Sequence, residues 1–229
     1  SRIVHVSADF LGEHPEMHFQ SSSGRIGITP GPHYGSRFPG DPRITAVYDF
    51  LPDTLLLRTA NRSDFSGALV LDKWLGNTDG RQAIFYRQKQ SGGFLTSMID
   101  NGLLFGGGYW DFSDGPLFGL ARDRVVYRDT TRASLEPWFE FVSSFSPDIL
   151  YRKVTKMPYE WVEDDRSALD GLVETLVRRR FRVADLVLDA LRLNPEVFPA
   201  VGFRARFSQG YERGQHEPTS LGQDCPEAR

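Results

Sequence analysis

Cysteine is almost missing from this 229-residue chain: its single thiol, Cys225, lies in a polar C-terminal stretch. One cysteine cannot form a disulfide within the chain. This excludes a stapled secreted scaffold and fits a reducing compartment, so a cytoplasmic protein is expected. Long apolar runs are missing too. None reaches the ~18 residues of a membrane-spanning helix, and no signal-peptide pattern opens the chain. Lysine is scarce, with Lys73, Lys89, Lys153 and Lys156 the four lysines among 27 basic residues. Arginine holds its charge and forks onto carboxylate or phosphate, although a GC-rich genome produces the same bias without functional meaning. A surplus of positive charge is also lacking. A formal net charge of −3 and an isoelectric point near 6.0 make nucleic acid an unexpected partner. His5, His14, His18, His33 and His216 have no spacing suited to zinc. No Gly-x-Ser-x-Gly elbow surrounds Ser22 or Ser36, which argues against a hydrolase.

What is present suits one large domain or a domain with a tail, since 40% apolar and 13% aromatic content can fill a sizeable core. Residues 1–60 read as extended segments and turns. Strand-like pieces fall at Arg2–Val6 and Met17–Gln20, and a loop at Ser21–Gly24. Between Thr29 and Pro42, four prolines and three glycines exclude regular structure. A helix is expected from about Phe65 to Leu75, capped by Ser63 or Asp64. It is apolar almost all round and therefore buried, with Asp72 and Lys73 as its main charged positions. Ala83–Tyr86 and Phe94–Ile99 read as a hairpin turning at Gln90–Gly93. Beyond residue 130 the pattern is helical. Leu169, Leu172, Val173, Leu176 and Val177 form one apolar stripe, and Val183, Leu186, Val187, Ala190 and Leu191 another. Arg178–Arg180 and Arg182 between them read as a solvated helix end, and Asn194–Pro195 stops the last helix. The expected division is 1–60, then a core unit at 61–207, then a disordered tail at 208–229.

Two short acidic turns carry the chemistry. Gly76–Gln82 and Met98–Gly102 each place a carboxylate in a polar, glycine-flanked turn after an apolar run, and Asp79 and Asp100 are 21 residues apart. Such a pair can supply a base for a hydroxyl nucleophile and a ligand for the magnesium of a nucleotide. Solvated loop aspartates are the structural alternative. Asn77 can equally be a turn residue tolerant of left-handed backbone. Asp111 and Asp114 pose as an acid/base pair of the glycosidase kind, yet read better as surface-turn carboxylates. Asp111-Phe112-Ser113 imitates a kinase Asp-Phe-Gly but follows Asp79 by 32 residues, which favours Asp100 instead.

The segment Trp74-Leu75-Gly76-Asn77-Thr78-Asp79, the hairpin after it and Ile99-Asp100-Asn101-Gly102 together resemble the HipA-like kinase family, in its less-studied bacterial branch. Pro32–Arg37 and Gly108-Tyr109-Trp110 are similar to that branch as well, and the likeness spans roughly residues 1–200. It implies an α+β, protein-kinase-like C-lobe, mainly helical, with a small β-hairpin and a few N-terminal strands. It also implies a bacterial transferase that uses ATP and magnesium to phosphorylate Ser/Thr on a protein, and it is compatible with an antitoxin-like partner. By position, Asp79 accepts or orients the substrate hydroxyl and Asp100 ligates magnesium. Gln82 stands in for a second metal ligand and, with Asn77, lines the nucleotide. His33, Tyr34 and Gly35 lie at the interlobe hinge near the adenine.

Two departures qualify this. Many relatives have Asn five residues past the catalytic aspartate, where this chain has Ile84. No lysine precedes Lys73 and no Gly-x-Gly-x-x-Gly loop precedes the acidic turns, whereas kinase folds hold the phosphates with an early-strand lysine. The missing lysine and loop lead to the expectation of a fragment, mostly C-lobe with the last N-lobe strands; a start at Ser1 without methionine also fits a processed or truncated beginning. A non-catalytic pseudokinase or regulatory module on the same scaffold is the second expectation.

Overall fold

The computed structural model describes residues 2–88 and 93–202. The tail expected from residue 208 and most of the turn at Gln90–Gly93 lie outside the described residues. The chain is a mixture of helices and small antiparallel sheets, compatible with the α+β class.

β1 (Arg2–Val6) is followed by a short helix α1 (Ala8–Glu13), whose N-cap Ser7 accepts the Phe10 amide. β2 (His18–Ser21) and β3 (Gly24–Gly27) form a tight hairpin, so the loop signal at Ser21–Gly24 marks its turn. β4 (Gly31–Gly35) pairs antiparallel with β1, Pro32 facing His5. This corrects the expectation that the Pro/Gly-rich stretch carries no regular structure. β4 has a single neighbouring strand, and an edge strand tolerates a proline that cannot donate.

β5 (Thr45–Tyr48) joins β6 (Gln82–Gln88) and β7 (Leu95–Ile99) in a three-stranded sheet of order β5-β6-β7. A short helix α2 (Asp53–Leu56) follows β5. The first buried residue of the described chain is Thr45, and Leu51 and Leu56 belong to the main core. Residues from Thr45 onward therefore pack with the later part of the chain, because β5 pairs with β6.

α3 (Asp64–Leu75) is the axis of the molecule. Phe65, Leu69, Val70 and Trp74 are buried. They pack with Phe85 of β6, Leu120, Tyr127 and residues of the later helices. α4 (Arg132–Ser143) opens with a reciprocal cap between Thr131 and Ser134. α5 (Pro147–Val154), α6 (Arg166–Arg179) and α7 (Val183–Leu193) follow, and α4, α6 and α7 all contact α3. Both predicted apolar stripes face inward, α7 burying Val187, Ala190 and Leu191. α7 stops where Asn194 turns its side-chain amide onto the Ala190 carbonyl, 2.7 Å away, just before Pro195. Among the described residues no helix is long and apolar enough to cross a membrane.

Candidate functional site

α3 ends at Gly76, whose φ of 63° is the left-handed cap that glycine adopts without strain. A side chain there would meet the Phe112 ring, a Cβ falling 2.8 Å from it. The Gly76 and Asn77 amides both return to the Asp72 carbonyl. The chain is thereby turned out of the helix into Thr78-Asp79.

Asp79 lies half-buried at the apex of this turn. One carboxylate oxygen accepts the Gly80 amide at 2.7 Å, and the other faces Arg122 Nη2 at 3.8 Å. Asp100 follows β7 with a φ of 59° and an exposed side chain. Its Oδ1 accepts the Gly102 amide at 3.3 Å, and its Oδ2 accepts Gln82 Nε2 at 2.5 Å. A positive φ is uncommon outside glycine, but aspartate tolerates it better than most residues.

Arg81 ties the two turns together. Its guanidinium forks onto Asp72, with Nε 2.8 Å from Oδ2 and Nη2 on Oδ1. Nη1 reaches the carbonyls of Ile99 at 2.8 Å and Asp100 at 3.0 Å, and Asn101 Oδ1 at 2.9 Å. Burial opposes its charge, but the Asp72 carboxylate outweighs that and holds its pKa above the ordinary value. A bidentate buried pair of this kind fixes geometry more than a single hydrogen bond does. The loop after Asp100 adds main-chain ties, Thr78 N to Leu103 O at 3.1 Å and Gly106 N to Gly76 O at 2.8 Å.

A second arginine braces the same turn from behind. Arg179 is buried, donating to the Trp74 carbonyl at 3.0 Å, the Lys73 carbonyl at 2.8 Å, and both oxygens of Asp114. It thus satisfies carbonyls at the C-terminal end of α3, where a cation is favoured. This corrects the reading of the 178–180 cluster as wholly solvated. Asp114 is an exposed loop carboxylate, and its pairing with Arg179 argues against the acid/base reading. Lys73, beside them, is buried with Nζ 2.7 Å from the Gly115 carbonyl. Burial lowers its pKa to about 8, against the pull of Asp114 and Asp72.

Of the sequence-predicted site residues, Asp79 and Asp100 lie in turns fastened to one another, and Gln82, the first residue of β6, is bonded to Asp100. Asn77 is 3% exposed, and its amide is used internally. Nδ2 donates to Asp72 at 3.2 Å, and Oδ1 accepts the Asp79 amide at 3.1 Å. These bonds shape the turn that carries Asp79. His33, Tyr34 and Gly35 lie on β4. His33 Nε2 meets the Thr29 carbonyl at 2.8 Å, Tyr34 is exposed, and Gly35 packs on Val4. The neighbouring Pro32 carbonyl accepts Trp161 Nε1 at 2.9 Å. These contacts are to β1 and the 159–161 turn, and not to either acidic turn. Ile84 lies on β6, two residues beyond Gln82 and so on the same face of the strand.

Arg81, Arg122 and Arg179 are the side chains that sequence reasoning missed. Only Arg179 had a signal, for it continues the stripe Leu169, Leu172, Leu176 at helical spacing.

Magnesium carried by a nucleotide needs one or two protein carboxylates and completes its octahedron with phosphate oxygens and water. Asp100 offers one such carboxylate, and Gln82 is held to it through Nε2. Among the described residues no group of three or more His, Cys, Asp or Glu could hold a metal by itself. No protein-family model, curated protein or solved structure matches this chain.

Proposed function

We propose that this chain is the C-lobe of a HipA-like kinase whose intact parent moves the ATP γ-phosphoryl group to a Ser/Thr hydroxyl of a protein. The observation that carries the reading is the Arg81–Gln82 clamp. Two consecutive side chains, directly after the Asp79-Gly80 apex, grip the Asp100 turn through its carbonyl and its carboxylate. Phosphoryl transfer asks mainly for positioning and charge, and a clamp of this kind supplies positioning. In this assignment Asp79 receives the proton of the acceptor hydroxyl. Asp100, with the Gln82 amide oxygen, would hold magnesium, which would supply positive charge against the phosphates. The cytoplasm is the compartment this reading implies.

Transfer of labelled phosphate from ATP to a serine-containing protein tests it. Asp79→Ala is expected to lower the rate at least ~100-fold, the scale of a lost general base, while ATP binding stays nearly unchanged. Unaltered turnover in that variant refutes the role.

A second reading, a non-catalytic module on the same scaffold, is favoured by Ile84 at the second metal-ligand position and by the lack of any lysine before Lys73. It predicts neither heat nor a thermal shift with Mg-ATP.

A further inference from the structure

Two guanidiniums stand at the Asp79 turn, and they differ in how far they are committed. Arg81 is 4% exposed and saturated by Asp72, Asn101 and two carbonyls. Arg122 belongs to a distant part of the chain that is nonetheless laid along the turn. Gly119 N donates to Asp79 O at 2.9 Å, Arg81 N to Leu120 O at 2.9 Å, and Arg122 N to Arg81 O at 3.1 Å, a short parallel bridge. The side-chain stem crosses Gly80, where a Cβ would come within 3.4 Å of Arg122 Cγ. The head ends 3.8 Å from Asp79 Oδ2, with side-chain exposures of 61% and 40%. That separation is too long for a hydrogen bond. Among the described residues Asp79 is its one ion-pair partner.

The backbone of Arg122 is therefore fixed while its charged head is loosely held, beside the carboxylate assigned to the acceptor hydroxyl. We infer that Arg122 is the phosphate-contacting cation of this site: it leaves Asp79 for the γ-phosphate when nucleotide binds and neutralises charge there during transfer. The inference rests on the phosphotransferase reading and gives the site a cation that the lysine-poor sequence withholds. Arginine suits the task, because its planar fork matches two phosphate oxygens and remains protonated. In the transfer step a bond forms between the acceptor oxygen and Pγ as the Pγ–O bond to the β-phosphate breaks. The bonding pair leaves with ADP, and the acceptor proton passes to the Asp79 carboxylate. Arg122 exchanges no proton and acts by charge alone.

Calorimetric titration of the chain with Mg-ATP and, separately, Mg-ADP tests the assignment. The wild type is expected to prefer ATP by ~10-fold or more, the scale of a charge-assisted contact to one further phosphate. Arg122→Ala is expected to erase that preference while its ADP affinity stays within about two-fold, and Arg122→Lys to restore part of it. An Arg122→Ala protein that keeps the wild-type ATP/ADP ratio overturns the inference and leaves Arg122 as a surface ion pair of little consequence. Equal loss of both nucleotides overturns it as well, as does a wild type with no preference between them. A wild type that binds neither nucleotide overturns the inference by overturning the phosphotransferase reading beneath it.

Discussion

Lys73 is where a single residue ties stability to pH. Its pKa falls from 10.5 to about 8 because burial disfavours the charged amine more than Asp114 and Asp72 favour it. Below about pH 8 the folded and unfolded forms are both protonated, and the burial cost is carried in full. Between about 8 and 10.5 the unfolded chain binds the proton that the folded chain has shed, so stability rises with pH across that window. Denaturant unfolding of the wild type and Lys73→Met at pH 7 and pH 10 isolates the effect. The difference is expected to move in favour of the wild type by ~2–3 kcal/mol. A difference that stays flat contradicts the assignment. The Lys73 position on the helix was legible in the sequence, but its depth was not. Depth depends on Gly115 and Pro116, whose carbonyls arrive from a loop about forty residues downstream.

At the scale of elements, α3 and the turn after it decide whether the candidate site exists. The helix could be read from sequence because Phe65, Leu69, Val70 and Trp74 leave it no polar face, and Gly76 marked its end. The strands β6 and β7 were legible as short apolar runs on either side of a turn signal. β4 was not, because a strand of prolines and glycines is defined by its partner β1 and not by its own propensity. The side chains that hold the turn were illegible for a related reason. Arg179 reaches Asp114 across 65 residues and the Trp74 carbonyl across 105, and no local pattern encodes such a pairing. Arg179→Ala strips α3 of this brace and leaves the Asp114 carboxylate and two carbonyls without their donor. A loss of about 2 kcal/mol is expected, below the range for a fully buried pair because the Asp114 side chain is 35% exposed. Measured by denaturant unfolding, a loss below about 0.5 kcal/mol would place Arg179 among ordinary surface residues.

On the scale of the whole molecule, stability is divided unevenly along the chain. Residues 2–44 contribute no buried residue, and Phe19, Ile26 and Tyr34 are each more than half exposed. Two-stranded hairpins without a core are marginal alone, so this region is expected to open far below the global unfolding energy. Deleting residues 1–40 is predicted to shift the unfolding midpoint by no more than ~4 °C, the equivalent of about 1 kcal/mol at this size. Collapse of the remaining chain would show that the hairpins support the core. The three-stranded sheet, α3 and the packed helices α4, α6 and α7 form the cooperative unit, and both acidic turns belong to it.

In the proposed site the Asp100 turn, held by Arg81 and Gln82 beside Asp79, takes the magnesium of a nucleotide. Titrating ATP into the wild type and Asp100→Ala, each with magnesium and with a chelator in its place, tests it most directly. Binding to the wild type is expected only when magnesium is present, with a loss of ~10-fold or more in Asp100→Ala. Wild-type binding that ignores magnesium, or an Asp100→Ala variant with the same magnesium dependence as the wild type, would contradict it.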